Sequence, residues 1–305
     1  MLLTALVAVV ASAATPVQQL NRQPQAPLRV CGLQIHTVPG DTAANLNRAQ
    51  KLIRANPGYD LYVLPELSSH GYGDAVLAAL DHHAQDADTG EIASFFADCA
   101  REANAHICYG FLRRREDDFG TAGGYFICQA VATPKGTLAL TYDKIHLCDM
   151  GACSEVGYGL TRGSGLGVFE IHGIRVGVSI CYDLRFPELY RALAWEQRCD
   201  LLLHPCAFVR DATFPTYHQF CIVRAQENGV YLLSVNHAGA DFGDSIAVPP
   251  WTGPVPGLDG ELAPVTLGIE EGVLPLVVEP AHLSAVRAAY PYRRDAGLGN
   301  LHGQN

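Results

Sequence analysis

Residues 28–292 read as one α/β (α+β) unit, a four-layer α-β-β-α sandwich built from two similar βαβ-containing halves. Three observations predict it. The first is a repeat: an apolar strand at 28–35, a helix, and Asp60-Leu-Tyr-Val-Leu-Pro65 are matched by a strand at 174–180, a helix at 186–197, and Asp200-Leu-Leu-Leu-His-Pro205. The second is that both halves continue alike, helix 90–104 into strand 106–112 and helix 215–227 into strand 230–235. The third is handedness: right-handed crossovers that return from one edge of a sheet place their helices on one face, so the two bare faces must bury each other.

The elements follow in order from local chemistry. Residues 15–27 are rich in Gln and Pro and read as a linker. Asp41 caps a helix whose apolar positions Leu46, Ala49, Leu52 and Ile53 share one face, and Pro57-Gly58 ends it. Strands 125–131 and 137–142, joined by Thr133-Pro-Lys-Gly136, form a hairpin that delivers the chain to Asp143-Lys144-Ile-His146-Leu147. Glycine-rich loops occupy 151–167. Strand 174–180 is β-branched and apolar, and Pro187 fits the first turn of the helix that follows it, so Cys181 falls at a strand-to-helix corner. Residues 249–260 hold too much Pro and Gly for regular structure and read as a long surface loop, and 293–305 as a C-terminal tail.

Composition excludes several classes. With 49% apolar and 17% charged residues, the chain is packed and globular. Its 21 Lys plus Arg against 31 Asp plus Glu leave a net charge of −10 with no basic stripe, so neither a nucleic acid nor an anionic membrane is expected as a partner. Ten scattered cysteines are too sparse for a disulfide scaffold, and most lie in apolar runs as small core hydrophobes. His146, Cys148, Asp149 and Cys153 come nearest to a metal cluster but lack zinc-ligand spacing, so no metal is expected. Residues 1–14 form an apolar leader ending near Ala11-Ser12-Ala13, with no Lys or Arg before Arg22; a signal peptide and a disordered extension both fit.

Three polar residues end or follow apolar strands: Glu66, Lys144 and Cys181. Strand ends converge on one rim of a sheet, so these side chains can meet. A thiol, a carboxylate that takes its proton and an ammonium that steadies an oxyanion are sufficient for acyl transfer. A thiol at a helix start is also expected to have a lowered pKa.

Leu64-Pro65-Glu66, Tyr142-Asp-Lys-Ile-His-Leu147 and Ile180-Cys-Tyr-Asp-Leu-Arg-Phe-Pro-Glu-Leu189 resemble the carbon–nitrogen hydrolase (nitrilase) superfamily, as does Arg224-Ala-Gln-Glu-Asn-Gly-Val-Tyr231. The likeness runs from about residue 28 to 290. It implies an αββα sandwich, a homodimer or larger homo-oligomer, a cytoplasmic location unless the leader directs export, and a reaction without cofactor. It makes Cys181 the nucleophile, Glu66 the general base and acid, Lys144 the oxyanion stabiliser and the Tyr182 backbone N–H a second donor, with Glu155 matching a further glutamate of many members. Asp183, Arg185 and Glu188 are expected to hold the corner in place.

The residues after Cys181 resemble the ω-amidase and deaminated-glutathione-amidase side, since true nitrilases show Cys-Trp-Glu. A small carboxamide is therefore the expected substrate, with an N-carbamoyl amino acid as the alternative and a nitrile behind both. Thr216-Tyr-His218 departs from the His-Trp-Glu of amidases. That segment, residues 203–208 and the loop near Trp251 are expected to line or cover the pocket, with Tyr72, His204, Cys206 and Ala207 as substrate-facing residues. A Cys-His protease, with His172, His204 or His218 as partner, lacks the surrounding motif, and Gly177-Val-Ser179-Ile-Cys181 is not a serine-hydrolase elbow.

Overall fold

The computed structural model describes residues 26–116, 122–150 and 153–296; the leader, most of the linker and the end of the tail lie outside the described residues. The first half runs β1 (Leu28–Gln34), α1 (Thr42–Ala55), β2 (Leu61–Val63), two short helices α2 (Asp74–Leu77) and α3 (Leu80–His83), α4 (Glu91–Ala103), β3 (His106–Glu116), β4 (Ala122–Ala132) and β5 (Leu138–Asp143). A small hairpin, β6 (Asp149–Met150) and β7 (Cys153–Ser154), links the halves. The second half runs β8 (Gly167–Ile171), β9 (Ile174–Val178), α5 (Pro187–Arg191), β10 (Leu201–Pro205), α6 (Tyr217–Gln226), β11 (Tyr231–Val235) and β12 (Ile246–Val248). Short ladders β13 (Gly253–Pro254), β14 (Glu261–Leu262) and β15 (Val265–Thr266) precede β16 (Gly272–Val278), α7 (Pro280–Ala289) and α8 (Tyr292–Asp295).

Two six-stranded sheets result, ordered β16-β1-β2-β3-β4-β5 and β15-β12-β11-β10-β9-β8. In each the three central strands are parallel, as the βαβ repeat requires, and antiparallel strands flank them. Side-chain alternation then builds three cores. Leu28 and Val30 of β1, Leu61 and Val63 of β2, and Leu201 and Leu203 of β10 fill the space between the sheets. Cys31, Leu33 and Tyr62 pack outward against α1 and α4, and Leu202 and Leu232 against α5 and α6. The four-layer sandwich is the architecture observed.

Local details follow sequence chemistry with some differences. Asp41 caps α1 by accepting the Ala44 N–H at 3.0 Å, and Asn104 ends α4 in the left-handed region at φ 49°. The expected helix at 186–197 is α5 continued by a π turn at Ala192–Glu196, and a 3-10 turn at Cys181–Arg185 separates it from β9. The 249–260 segment is mostly loop, stiffened by the β13–β14 ladder. Trp251 stacks on Tyr290 at 3.7 Å, which fastens that loop to the C-terminal segment.

Candidate active site

Glu66 stands beyond the carboxyl end of β2, between two other parallel strands, where open sheets place their ligand sites. Leu64 still donates to Cys108 O at 2.9 Å; Pro65 then ends the ladder, and Leu67 turns the chain at φ 48°. The turn fits against β3 because Gly110 has no side chain: a Cβ there would meet Leu67 N at 2.5 Å and Pro65 O at 2.6 Å. His237 Nε2 donates to the Glu66 carbonyl at 2.7 Å from the opposite sheet. The carboxylate, at 0% exposure, accepts from Lys144 Nζ at 2.8 Å on one oxygen and from Ala207 N at 2.9 Å on the other. Burial raises its pKa and Lys144 opposes the rise.

Lys144 follows β5, tied by its own N–H to Ile127 O at 2.9 Å. Its ammonium bridges Glu66 and Glu155, each at 2.8 Å. Burial alone would lower its pKa, but Glu155 and Glu66 raise it well above the ordinary value. Glu155 also accepts from Tyr72 OH at 2.9 Å and from Cys148 N at 2.7 Å. Two carboxylates and one ammonium are thus buried together, with most of their lone pairs used.

Cys181 takes a left-handed backbone, φ 43°, which costs a non-glycine residue about 1–3 kcal/mol and needs outside support. That support is visible. His204 Nε2 donates to the Cys181 carbonyl at 2.9 Å, and Arg224 Nε donates to Leu184 O at 3.1 Å. Asp183 gathers four donors: Ile180 N at 2.9 Å, Tyr142 OH at 2.6 Å, and the N and Nδ1 of His146 at 2.9 and 2.7 Å. It therefore ties the corner carrying Cys181 to the segment carrying Lys144. The expected lowering of the thiol's pKa is not met. Burial first and Glu66 next raise it well above the ordinary value, and Lys144 only opposes them.

A cavity of about 100 Å³ opens over Cys181, lined among others by Tyr72, Glu155, Tyr182, Arg185, Ala207 and Phe208. It adjoins a wider cleft of about 680 Å³ that shares Tyr72, Met150, Cys153, Val209 and Asp211. Tyr72 and Ala207 are thus in the cavity wall as expected. His204 and Cys206 are not: His204 lies behind the Cys181 carbonyl, and Cys206 Sγ turns to Tyr217 OH at 3.4 Å on the helix side. Strand alternation explains it, since these residues share the outward parity of Leu202. Tyr217 is buried against Ser234, His218 donates to Asp244 O, and the loop near Trp251 contributes nothing to the cavity wall. Of the ten cysteines, only Cys148, Cys153 and Cys181 are partly exposed, and all three face this cavity.

Sequence reasoning missed His237 and the cavity role of Arg185, whereas Asp183 sits at the corner it was expected to hold. Asp183 had a signal, a carboxylate in the first turn after the cysteine; His237 had none, because it reaches Glu66 across 171 positions.

A sandwich of this topology, with a cysteine, a lysine and two carboxylates at the strand ends, defines a class of thiol-bearing hydrolase folds. The family model for carbon-nitrogen hydrolases matches residues 28–263. The chain belongs to this family, within the nitrilase superfamily, and is an amidase-type enzyme that hydrolyses amide C–N bonds. It is 32% identical to the omega-amidase NIT2-A of Xenopus laevis over 82% of this chain and 88% of that one. It is 30% identical to the omega-amidase NIT2 of Homo sapiens over 88% of this chain and 93% of that one. A CN-hydrolase superfamily protein of Xanthomonas campestris, solved with an arsenic adduct in its active site, aligns with a TM-score of 0.74 at 25% identity over 88% of this chain and 97% of that one.

Proposed function

We propose that the protein hydrolyses a small carboxamide to its acid and ammonia through a thioester on Cys181. The observation that carries this reading is the buried ammonium of Lys144 bridging Glu66 and Glu155, next to a cavity lined by Glu155 and Cys181. The Cys181 thiol is protonated at rest, so a base must act during attack. Glu66 takes the proton as sulfur adds to the carbonyl carbon. Lys144 has one N–H left after its two carboxylates, and this N–H and the Tyr182 backbone N–H stabilise the oxyanion. Glu66 then returns the proton to the leaving nitrogen. Ammonia departs, the same carboxylate deprotonates water, and hydroxide releases the acid from the thioester.

Arg185 supports a substrate that also bears a carboxylate. It donates to Thr213 Oγ1 at 3.0 Å and lies over the Phe208 ring at 5.5 Å, and it has no ion pair among the described residues. The relatives named omega-amidases agree with such a substrate. Ammonia release from a panel of acid-bearing carboxamides, neutral carboxamides, N-carbamoyl amino acids and nitriles tests the reading. Acid-bearing carboxamides are expected to turn over fastest, and Arg185→Ala to raise their KM about tenfold or more with little change for neutral amides. Preference for a carbamoyl amino acid would replace the reading, and full activity of Cys181→Ala would end it.

A further inference from the structure

Three cavity thiols are two more than the hydrolytic reaction uses. Cys148 immediately precedes β6 and Cys153 opens β7 of the hairpin, where Glu155 N donates to Cys148 O at 2.9 Å and Met150 pairs with Cys153. That register puts Cys148, Met150, Cys153 and Glu155 on one face of the hairpin, and all four line the cavity. Cys153 Sγ lies 3.8 Å from Cys148 O, its diagonal neighbour on this face, and 3.2 Å from Tyr72 OH.

We propose that Cys148 and Cys153 form an oxidative modification site, a dithiol that a hydroperoxide closes to a disulfide, and that closure displaces Glu155 and slows turnover at Cys181.

Cys153 is the attacking thiol. Its pKa is held below the ordinary value, first by the hydrogen bond with Cys148, then by Tyr72 and Lys144, against burial and Glu155. Its thiolate attacks a peroxide oxygen, forming a sulfenic acid as the O–O bond breaks and water or an alcohol leaves. The Cys148 sulfur then displaces hydroxide from that sulfenic acid, its proton leaving with the hydroxide as a second water. Two thiols are oxidised by two electrons and one peroxide is reduced. Cys181 is a poorer competitor, because burial and Glu66 keep it protonated.

The consequence for turnover comes from what the hairpin carries. Closing a thiol contact to an S–S bond of about 2.05 Å draws the two strands together. Cys148 N and Tyr72 OH both donate to Glu155, and Glu155 holds Lys144, so displacement at the sulfurs reaches the ammonium through two hydrogen bonds. The effect on turnover rests on the amidase reading; the disulfide does not.

The full-length enzyme is treated with hydrogen peroxide, alkylated without reduction and digested with trypsin. Lys144 and Arg162 bound one fragment holding Cys148 and Cys153, while Cys181 falls in another, after Arg175. The expected result is a 145–162 fragment lighter by two hydrogens and resistant to alkylation, an alkylatable Cys181, and activity about tenfold lower that dithiothreitol restores. In Cys148→Ser the dithiothreitol-reversible fraction disappears. Both hairpin cysteines remaining alkylatable, or Cys148→Ser losing and regaining activity as the wild type does, overturns the proposal. A chain without amidase activity refutes the functional reading and leaves the alkylation pattern to decide the disulfide.

Discussion

Asp60 and Asp200 occupy the same place in the two halves. Each donates its backbone N–H to an arginine carbonyl on the neighbouring strand, Arg29 and Arg175, both at 2.8 Å, and each carboxylate accepts that arginine's N–H, at 2.8 and 3.1 Å. The strands continue in one register, with Val30 opposite Leu61 and Val176 opposite Leu201. At the residue after the shared proline the halves part: Glu66 in the first, Cys206 in the second. At the same distance past Val30 as Cys181 stands past Val176 is Ile35, a buried hydrophobe. The first half thus brings Glu66 and Lys144 to the site and the second half brings Cys181, from non-equivalent strand ends. The repeat supplies a scaffold, and its broken symmetry supplies the chemistry.

The sharpest way to break this comparison is to alter the two cysteines in turn. Cys181→Ala is expected to reduce kcat by at least about 10⁴-fold, because the nucleophile is gone. Cys206→Ala, at the position matching Glu66, is expected to keep activity within about threefold while costing about 1 kcal/mol of packing. Equal losses in a steady-state ammonia assay would show that the second half's strand end is also used.

Lys144→Met tests the charge cluster that the first half and the linking hairpin build together. It leaves Glu66 and Glu155 buried without their shared cation, and a loss of about 3–5 kcal/mol in urea unfolding is expected, with no turnover. Unchanged stability would mean that the carboxylates hold a proton between them already.

Buried histidines stiffen both sides of the site. His70, His204 and His237 are each lowered from 6.5 to about 4 by burial. The unfolded chain protonates them below about pH 6.5 and the folded chain only near 4. Their stabilisation is therefore complete above pH 6.5 and is lost as the pH falls from 6.5 to 4, about 3 kcal/mol for each histidine. Urea midpoints at about pH 7 and pH 5 measure this, and a flat profile would refute it.

Asp183→Asn probes the tie between the Cys181 corner and the Lys144 segment. The amide end cannot accept from both His146 and Ile180, so about 2 kcal/mol of stability is expected to go, with a fall in kcat larger than any change in KM. A change in KM alone would place Asp183 at the substrate and not behind the cysteine.

The fold was legible because its signals are local and repeated: the Asp-Leu-x-x-x-Pro runs, the cap at Asp41, and strands of apolar residues that can be buried on both faces. Glu66, Lys144 and Cys181 were visible as polar residues at the ends of such strands. Finer properties needed the packed molecule. A helix-start argument lowers the thiol's pKa, but burial and a neighbouring carboxylate outweigh it, and neither can be read from residues adjacent in sequence. His204 reads as a pocket residue in one dimension and becomes a strut once strand parity points it outward.

The sequence by itself determined the two-half sandwich and the placement of Glu66, Lys144 and Cys181 at strand ends, because hydrophobic period, capping and strand-end placement act over a few residues. Only the tertiary structure decided that Lys144 bridges two buried carboxylates, that His237 crosses between sheets to hold Glu66, and that three thiols share one cavity. Those contacts join residues far apart in the chain, and their strength depends on the water that packing has removed.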